Sequence, residues 1–275
     1  MTYENLGPPA LDYFPCRYGN SKLLFRGPRR RLQGDYVAFL GGAETYGKFT
    51  ELPFPMLVEH ETGVRSVNLG CVNVGIDAYA TDKSLIDICA KARVTVIQVM
   101  GAQNMSNRYY AVHPRRNDRF LRASTLLQTI YGEIDFTEFS FTRHMLKALA
   151  KAAPTKFSLV VQELKDSWVA RMQTLIEQIE GKVVLLWLAD HAPVGDRGLD
   201  AGDAEPLFID KSMIAKLSSI VPDVVEIIAE PQERRDGLEE MAFGPLEQPA
   251  AEEMLGPVVH RRAAAALAPV IARLM

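Results

Sequence analysis

The chain has 275 residues and lacks most features that mark secreted or membrane-spanning proteins. It contains only three cysteines, Cys16, Cys71 and Cys89, and no CxxC pair, so no disulfide framework is expected. The opening MTYENLGPPALDYFP has no basic segment followed by an apolar one. No apolar run approaches the roughly 18 residues that a membrane-spanning helix needs. We therefore predict a soluble, cytoplasmic protein that does not enter a membrane.

An excess of one charge and the common nucleotide-binding motifs are also missing. The net charge is −3, which argues against a polyanion such as a nucleic acid as the partner. Neither GxGxxG nor a P-loop lysine pattern occurs, so a nucleotide-binding Rossmann enzyme is disfavoured. Asp190, His191 and Asp196 follow one apolar run, but their spacing matches no recognised metal site. We predict no metal and no cofactor.

The chain does contain apolar, β-branched runs that alternate with helical patterns, which is typical of βαβ units and a parallel sheet. The predicted strands are DYVAFLGG, VRSVNLGCVNVG, VTVIQVMGAQN, KVVLLWLAD and DVVEIIAEP. The predicted helices are PFPMLVEHETG, SLIDICAKA, RFLRASTLLQTIY, TRHMLKALAKA, LVVQELKDSWVARMQTLIEQIEG and HRRAAAALAPVIARLM. Gly63 and Gly181 are expected to end the first and fifth of these helices. We predict an irregular arm over residues 1–35 and one α/β domain over 36–275.

Glycine-rich and polar loops follow the first three predicted strands: GGAETYG, NLGCVNVG and GAQNMSN. In open α/β sheets, ligands bind beyond the carboxyl ends of the strands. The three loops are therefore expected to share one rim. His191, at the end of the fourth predicted strand, is expected to contact a ligand at the same rim.

The order of these loops resembles the SGNH (GDSL-type) hydrolase superfamily. The first block of that family is matched by Gly41, Thr45 and Gly47, the second by Gly70, the third by Gly101 and Asn104, and the last by His260. The resemblance implies a three-layer α/β/α, flavodoxin-like fold with a mostly parallel, five-stranded sheet. It also implies that the backbone around Ala43, the Gly70 N–H and the Asn104 amide stabilise an oxyanion.

The chain departs from the family pattern at the residues that perform the chemistry. Ala43 occupies the position of the nucleophilic serine, and Gly42 replaces the aspartate before it. Met105 and Pro257 stand where the family has the aspartates of its third and last blocks. A serine hydrolase needs an activated Oγ, so ordinary serine-ester hydrolysis is not predicted.

Other residues are candidates for the missing chemistry. Glu44 or His260 is predicted to move a proton at the rim. Thr45 is a candidate ligand contact, although threonine after a glycine-rich turn commonly bonds the turn backbone. Cys71 is a second candidate nucleophile, but a buried apolar role fits it better.

An arginine-rich stretch, NRYYAVHPRRNDRF, follows the third predicted strand. Because guanidinium forks bind carboxylate, sulfate or phosphate, we predict an anion pocket in this loop. Its members are Asn107, Arg108, His113, Arg115, Arg116 and Arg119. The alternative is an ion-pair mesh with Asp118, Asp135 and Glu138. A second basic run, RGPRRR, is expected to be a solvated face.

Over nearly its whole length, the chain also resembles a bacterial domain family of unknown function. The segments that carry this resemblance most clearly are GGAETYGKFTELPFP and GAQNMSNRYYAVHPRRNDRF. Our leading hypothesis is a transferase or hydrolase that acts on a small acidic or acylated metabolite, such as a glycan or lipid precursor. The alternatives are a non-catalytic protein that binds an anionic ligand, favoured by Ala43 and Pro257, and a scaffold whose arginines are structural.

Overall fold

A computed structural model describes residues 11–193 and 205–275. Its centre is a five-stranded sheet of order β2-β1-β3-β6-β7, in which every neighbouring pair is parallel. The strands are β1 (Tyr36–Gly41), β2 (Arg65–Gly70), β3 (Val94–Gln98), β6 (Val183–Ala189) and β7 (Asp223–Ile228). This is the flavodoxin-like strand order, so the predicted three-layer α/β/α fold is confirmed.

Alternating side chains of the strands build two separate cores. In β1, Tyr36, Ala38 and Leu40 join the larger core, whereas Val37 and Phe39 join the smaller one. A parallel sheet is stable only when both faces are covered, which explains why these strands are apolar at nearly every position. Polar groups are therefore confined to the strand ends.

Helices cover both faces of the sheet. The larger core contacts α3 (Ile76–Ala80), α4 (Lys83–Ala90), α6 (Thr142–Ala152), α7 (Pro154–Ile179) and α8 (Lys211–Leu217). The smaller core lies under α2 (Phe54–Thr62) and α11 (Pro257–Leu274). Further helices among the described residues are α1 (Ala43–Tyr46), α5 (Thr125–Ile130), α9 (Pro231–Glu239) and α10 (Gln248–Ala251). Across the described ranges, no helix combines the length and apolarity needed to cross a membrane.

The predicted helix ends are right in one case and wrong in the other. Gly63 ends α2 in the left-handed conformation at φ 70°, and its N–H donates to the carbonyl of Glu59 at 2.9 Å. At the end of α7, however, Glu180 itself adopts φ 52°. The helix thus ends at Ile179 with Glu180 as its cap, and the prediction of Gly181 as the cap is wrong.

An antiparallel hairpin replaces the predicted loop and helix around residue 116. It consists of β4 (Tyr110–His113) and β5 (Arg116–Ala123). The prediction of a helix starting at Arg119 is wrong because this segment pairs with β4, with Phe120 opposite Val112 and Ala123 opposite Tyr110. The helix α5 (Thr125–Ile130) begins later, where the Ser124 hydroxyl accepts from the N–H of Leu127.

The described part of the N-terminal arm is fastened to the domain by Arg26. This side chain is buried, and its guanidinium donates to the carbonyls of Gly47 at 2.6 Å, Thr50 at 2.8 Å and Glu51 at 2.7 Å. Burial lowers the pKa of the Arg26 guanidinium from its ordinary value. Arg26 is therefore buried, whereas the run RGPRRR was expected to be exposed to solvent.

Within the arm, a single antiparallel bridge joins Cys16 and Phe25. Residues 1–10 of the arm and Asp196 lie outside the described residues. The boundary near residue 35 stays a prediction.

Replacing Arg26 with methionine should destabilise the protein by about 3 kcal/mol, because buried carbonyls lose their donors while the apolar stem is kept. Urea unfolding measures this free energy. The control is Arg31→Met, since Arg31 is exposed. If Arg26→Met lost less than about 1 kcal/mol of unfolding free energy, Arg26 would not be what holds the arm to the domain.

Candidate functional site

A cavity of about 920 Å³ opens at the carboxyl edge of the sheet. Loops after β1, β3 and β6 line it, together with β5, the start of α6 and the segment before α11. The predicted site residues that line this cavity are Gly42, Ala43, Glu44 and Asn104. It lies where open α/β folds bind their ligands.

The turn after β1 is held by Gln98, the last residue of β3. Its Oε1 accepts three hydrogen bonds: from the N–H of Gly42 at 3.1 Å, from the N–H of Thr45 at 3.2 Å and from the Thr45 hydroxyl at 2.6 Å. Thr45 is fully buried and lies outside the cavity wall. A Cβ on Gly41 would overlap the Thr45 hydroxyl and the Gln98 carboxamide, so glycine is required there. Sequence reasoning missed Gln98, although a polar residue in the apolar run VTVIQV was a signal.

Gly70 does not offer its N–H to a ligand. That N–H donates to Oδ1 of Asn68 at 2.8 Å, and Asn68 Nδ2 donates to the carbonyl of Thr45 at 2.7 Å. A Cβ on Gly70 would overlap the backbone of Tyr46. Gly70 therefore serves close packing between β2 and α1, and the expectation of an oxyanion donor at Gly70 is wrong.

Asn104, Thr142 and Asp118 form a connected group in the cavity wall. The Thr142 hydroxyl lies 2.8 Å from Asn104 Oδ1 and 3.3 Å from the carbonyl oxygen of Asp118. Because the oxygen of the Asn104 carboxamide is engaged, its NH₂ is the end left for a ligand.

The Asp118 carboxyl also lines the cavity, and its environment is unusual for an aspartate. Its Oδ1 is buried and has no hydrogen-bond partner within the described residues. Burial raises the pKa of Asp118, and the Arg116 guanidinium, 3.7 Å from Oδ2, opposes that rise only in part. Perturbed carboxyls of this kind are concentrated at functional sites. In the sequence, Asp118 was expected only as an ion-pair partner of the arginines.

Glu44 and His260 are brought together, but only Glu44 reaches the cavity. His260 is 1% exposed, its ring stacks on Phe54, and its Nδ1 accepts from the N–H of Phe54 at 3.1 Å. His260 Nε2 lies 3.6 Å from Glu44 Oε2, and Glu44 Oε1 accepts from the N–H of Leu255 at 3.0 Å.

His260 lies behind the cavity because α11 already begins at Pro257. The residues before the helix that do line the cavity are Glu253, Met254 and Leu255. The expected direct action of His260 on a ligand therefore has no support from its position.

The four predicted arginines do not form one anion pocket, and the cavity wall includes none of them. Arg108 pairs with Glu163 at 2.7 Å, and Arg119 lies 5.6 Å from the ring centroid of Phe141. Arg116 pairs with Asp118, whereas Arg115 lines a separate groove. The prediction failed because the hairpin directs neighbouring arginines to different surroundings.

The remaining predicted contacts stabilise turns or the strand end. His113 Nδ1 accepts from the N–H groups of Arg115 and Arg116, both at 3.2 Å, and so closes the hairpin. Asn107 Oδ1 accepts from the N–H groups of Tyr109 and Tyr110. His191 contacts Asp190 at 3.0 Å and packs edge-on against Trp187, outside the cavity.

The cavity has its own charged residues, and carboxylates outnumber cations among those described. The carboxylates are Glu44, Asp118, Asp190, Glu205 and Glu253, and the cations are Arg143, Lys147 and Arg234. Arg143 pairs with Glu205, and Arg234 pairs with Asp190. Within the described ranges, no group of three or more His, Cys, Asp or Glu side chains could hold a metal ion.

The Gln98→Met variant should lose about 3 kcal/mol of unfolding free energy, because three buried donors around the turn after β1 lose their acceptor. Gln128→Met is the control, since Gln128 is exposed on α5. Urea unfolding of both variants measures the difference. Equal stability of the two would show that the turn does not depend on Gln98.

The chain belongs to a family described as a domain of unknown function, DUF6473, whose model matches residues 1–275. No curated protein matches the chain. Solved structures similar to it include a lipase from a goat rumen metagenome, at 12% identity and TM-score 0.47, covering 88% of this chain and 100% of the lipase.

Two further structures are similar at this level. A candidate GDSL-like lipase from Parabacteroides merdae matches at 11% identity and TM-score 0.42, covering 90% of this chain and 100% of that one. A family two carbohydrate esterase from Clostridium thermocellum matches at 12% identity and TM-score 0.40, covering 91% of this chain and 66% of the esterase.

Proposed function

We propose that this member of the DUF6473 family is a hydrolase of small acylated compounds that uses a carboxyl group and water instead of a serine. The observation that carries the proposal is the Asp118 carboxyl. It lines the cavity, its side chain is 20% exposed, and burial raises its pKa. A base with a raised pKa accepts a proton more readily near neutral pH than an ordinary aspartate does.

The proposed reaction begins with ionised Asp118 and a water molecule beside the acyl carbonyl. The carboxylate accepts one proton from water while the water oxygen bonds to the carbonyl carbon. The carbonyl π electrons move to its oxygen, which accepts a hydrogen bond from the NH₂ of Asn104. The tetrahedral intermediate then collapses, the bond to the leaving oxygen breaks, and that oxygen takes the proton from Asp118. The products are a carboxylic acid and an alcohol.

Thr142 has a positioning role in this proposal. Its hydroxyl is 2.8 Å from Asn104 Oδ1, which orients the Asn104 carboxamide and leaves its NH₂ as the end that donates. The same hydroxyl is 3.3 Å from the backbone oxygen of Asp118. The oxyanion donor and the base are therefore linked through one side chain, as a preorganised site requires.

The charges of the cavity favour an uncharged substrate over the acidic one first expected. That expectation depended on the arginines of the hairpin, which the cavity wall does not include. Arg143 and Arg234 do line the cavity, but each is paired with a carboxylate there. An anion would have to compete with those carboxylates and approach Asp118 and Glu253.

A second candidate function is non-catalytic binding in the same cavity. Ala43 at the nucleophile position favours it, as does the burial of His260 behind Glu44. A wild-type protein that binds small acylated compounds and hydrolyses none of them would support this candidate.

Asp118→Asn should lower kcat for hydrolysis of a simple ester such as 4-nitrophenyl acetate by roughly a hundredfold or more, because a general base contributes at least that much. Asn104→Ala should lower kcat by about a hundredfold through loss of the oxyanion donor. Steady-state kinetics measures both. Asp135→Asn is the matched control, since Asp135 is an exposed carboxylate at a 3₁₀ turn.

The thermal midpoint separates a catalytic from a structural role of Asp118. Ionised Asp118 is disfavoured by burial, so Asp118→Asn should not lower the midpoint at pH 7. Full activity of Asp118→Asn would contradict the proposal. A matching loss of stability and activity would make Asp118 a structural residue.

Arg116→Gln should move the acid limb of the pH–rate profile to higher pH. The Arg116 cation favours ionised Asp118, so its removal raises the pKa of Asp118 further and more base is required to form the carboxylate. Arg115→Gln, a neighbouring change outside the cavity, should leave the limb in place. If the acid limb of the pH–rate profile did not move in Arg116→Gln, a group other than Asp118 would control it.

A further inference from the structure

The segment HPRRND, whose arginines do not form an anion pocket, is the turn of the hairpin and is closed by two side chains. The first is His113, whose Nδ1 accepts from the N–H groups of Arg115 and Arg116. The second is Asn117, whose Nδ2 donates to the carbonyl of His113 at 3.0 Å. Asn117 is fully buried, although both arginines before it are exposed. At Asn117 this exposed turn therefore enters the protein interior.

The other end of the Asn117 carboxamide reaches the loop between β2 and α3. Its Oδ1 accepts from the N–H of Gly75 at 2.8 Å. Since Nδ2 donates to His113, both ends of the carboxamide are used and its orientation is determined. A longer hydrogen bond joins the same two segments, from the N–H of Asp118 to the carbonyl of Asn73 at 3.4 Å. The hairpin is thus anchored to this loop at Asn117 and Asp118.

The anchor at Asn117 determines the direction of the Asp118 carboxyl. Consecutive side chains of a strand point to opposite faces. Asn117 is directed into the protein, whereas Asp118 lines the cavity. When the Asn117 side chain is held on one face of β5, the Asp118 side chain is therefore held on the other.

Gly75 also contacts the loop that carries Asn104. A Cβ on Gly75 would lie 1.9 Å from the carbonyl oxygen of Asn104, so no side chain fits between them. The same loop is held further along by Asp77 of α3, whose Oδ2 accepts from the N–H of Ser106 at 2.7 Å and whose Oδ1 pairs with Arg171. The segment from Gly75 to Asp77 therefore contacts both the loop of the proposed oxyanion donor and the strand of the proposed base.

We propose that Asn117 is a positioning residue that, through Gly75, holds Asp118 at a fixed separation from Asn104. The inference rests on the proposed function, because it explains how the base and the oxyanion donor of that reaction are kept in register. Asn117 itself touches no substrate and acts through Asp118. A displacement of about 1 Å between reacting groups can cost roughly a hundredfold in rate, so this contact affects turnover more than substrate binding.

Two variants disturb the separation from opposite sides. Asn117→Ala removes both hydrogen bonds of the carboxamide and leaves room for water, which satisfies the freed groups without holding them in place. Its kcat for 4-nitrophenyl acetate should fall by roughly ten- to a hundredfold, with KM changed by less than about threefold.

Gly75→Ala leaves Asn117 unchanged and should lower kcat in the same way, because the added Cβ displaces the carbonyl of Asn104. The φ of Gly75 is −123°, which any residue adopts, so the overlap is the whole disturbance.

Tyr36→Phe separates positioning from stability. Tyr36 is buried at the start of β1, and its hydroxyl donates to the carbonyl of Ile88 at 2.7 Å, at the opposite end of the strand from the cavity. This variant should lower the thermal midpoint, as Asn117→Ala does, but keep the wild-type kcat. A comparable fall in kcat for Tyr36→Phe would overturn the positioning role. Wild-type kcat in both Asn117→Ala and Gly75→Ala would overturn it as well.

NMR gives a readout that does not depend on hydrolysis. Asn117→Ala should shift the ¹H–¹⁵N signals of the Asn104 NH₂, and Gly75→Ala should shift the ¹³C signal of the Asp118 carboxyl, whereas Tyr36→Phe should move neither. If the wild type hydrolyses no ester but both shifts are present, the proposed function fails and the held separation is supported. Ester hydrolysis by the wild type without either shift would contradict the positioning role alone.

Discussion

Three hydrogen bonds to one oxygen, Oε1 of Gln98, determine the shape of the cavity floor. The oxygen stands at the end of β3 and receives donors from the turn that follows β1. The strand and the turn are neighbours in the sheet but 53 to 56 residues apart in the chain. With Gln98 in place, Gly42, Ala43 and Glu44 are presented to the cavity, and Thr45 is withdrawn into the protein.

The parallel sheet could be predicted because its signals are local. Both faces of the strands must be apolar, and the alternation of such runs with helical patterns shows in the sequence itself. The hairpin was missed because the buried residues of β5, Asn117, Phe120 and Ala123, recur at every third position and so lack the alternation of two that marks a strand in the sequence. The wrong cap at Gly181 has a similar cause, since Glu180 adopts a conformation that sequence statistics assign to glycine.

The candidate site could be predicted only where it follows the strand ends. The cavity wall includes Ala43 and Glu44 at the start of α1 and Asn104 in the loop after β3, because these segments follow the carboxyl ends of strands. Asp118 owes its raised pKa to burial, opposed in part by the Arg116 guanidinium, and neither can be derived from spacing in the sequence. The arginines that suggested an anion pocket pair or stack elsewhere, since strand alternation separates residues that are adjacent in sequence.

The proposed hydrolysis depends on Asp118 as the base, and the pKa of Asp118 can be measured directly. A ¹³C NMR titration of the Asp118 carboxyl carbon, assigned with Asp118→Asn, gives that value in the folded protein. We expect a pKa above the roughly 3.9 of an unperturbed aspartate, and an acid limb of ester hydrolysis at the same pH. A pKa at or below the unperturbed value, or a limb that does not follow it, would contradict the central claim.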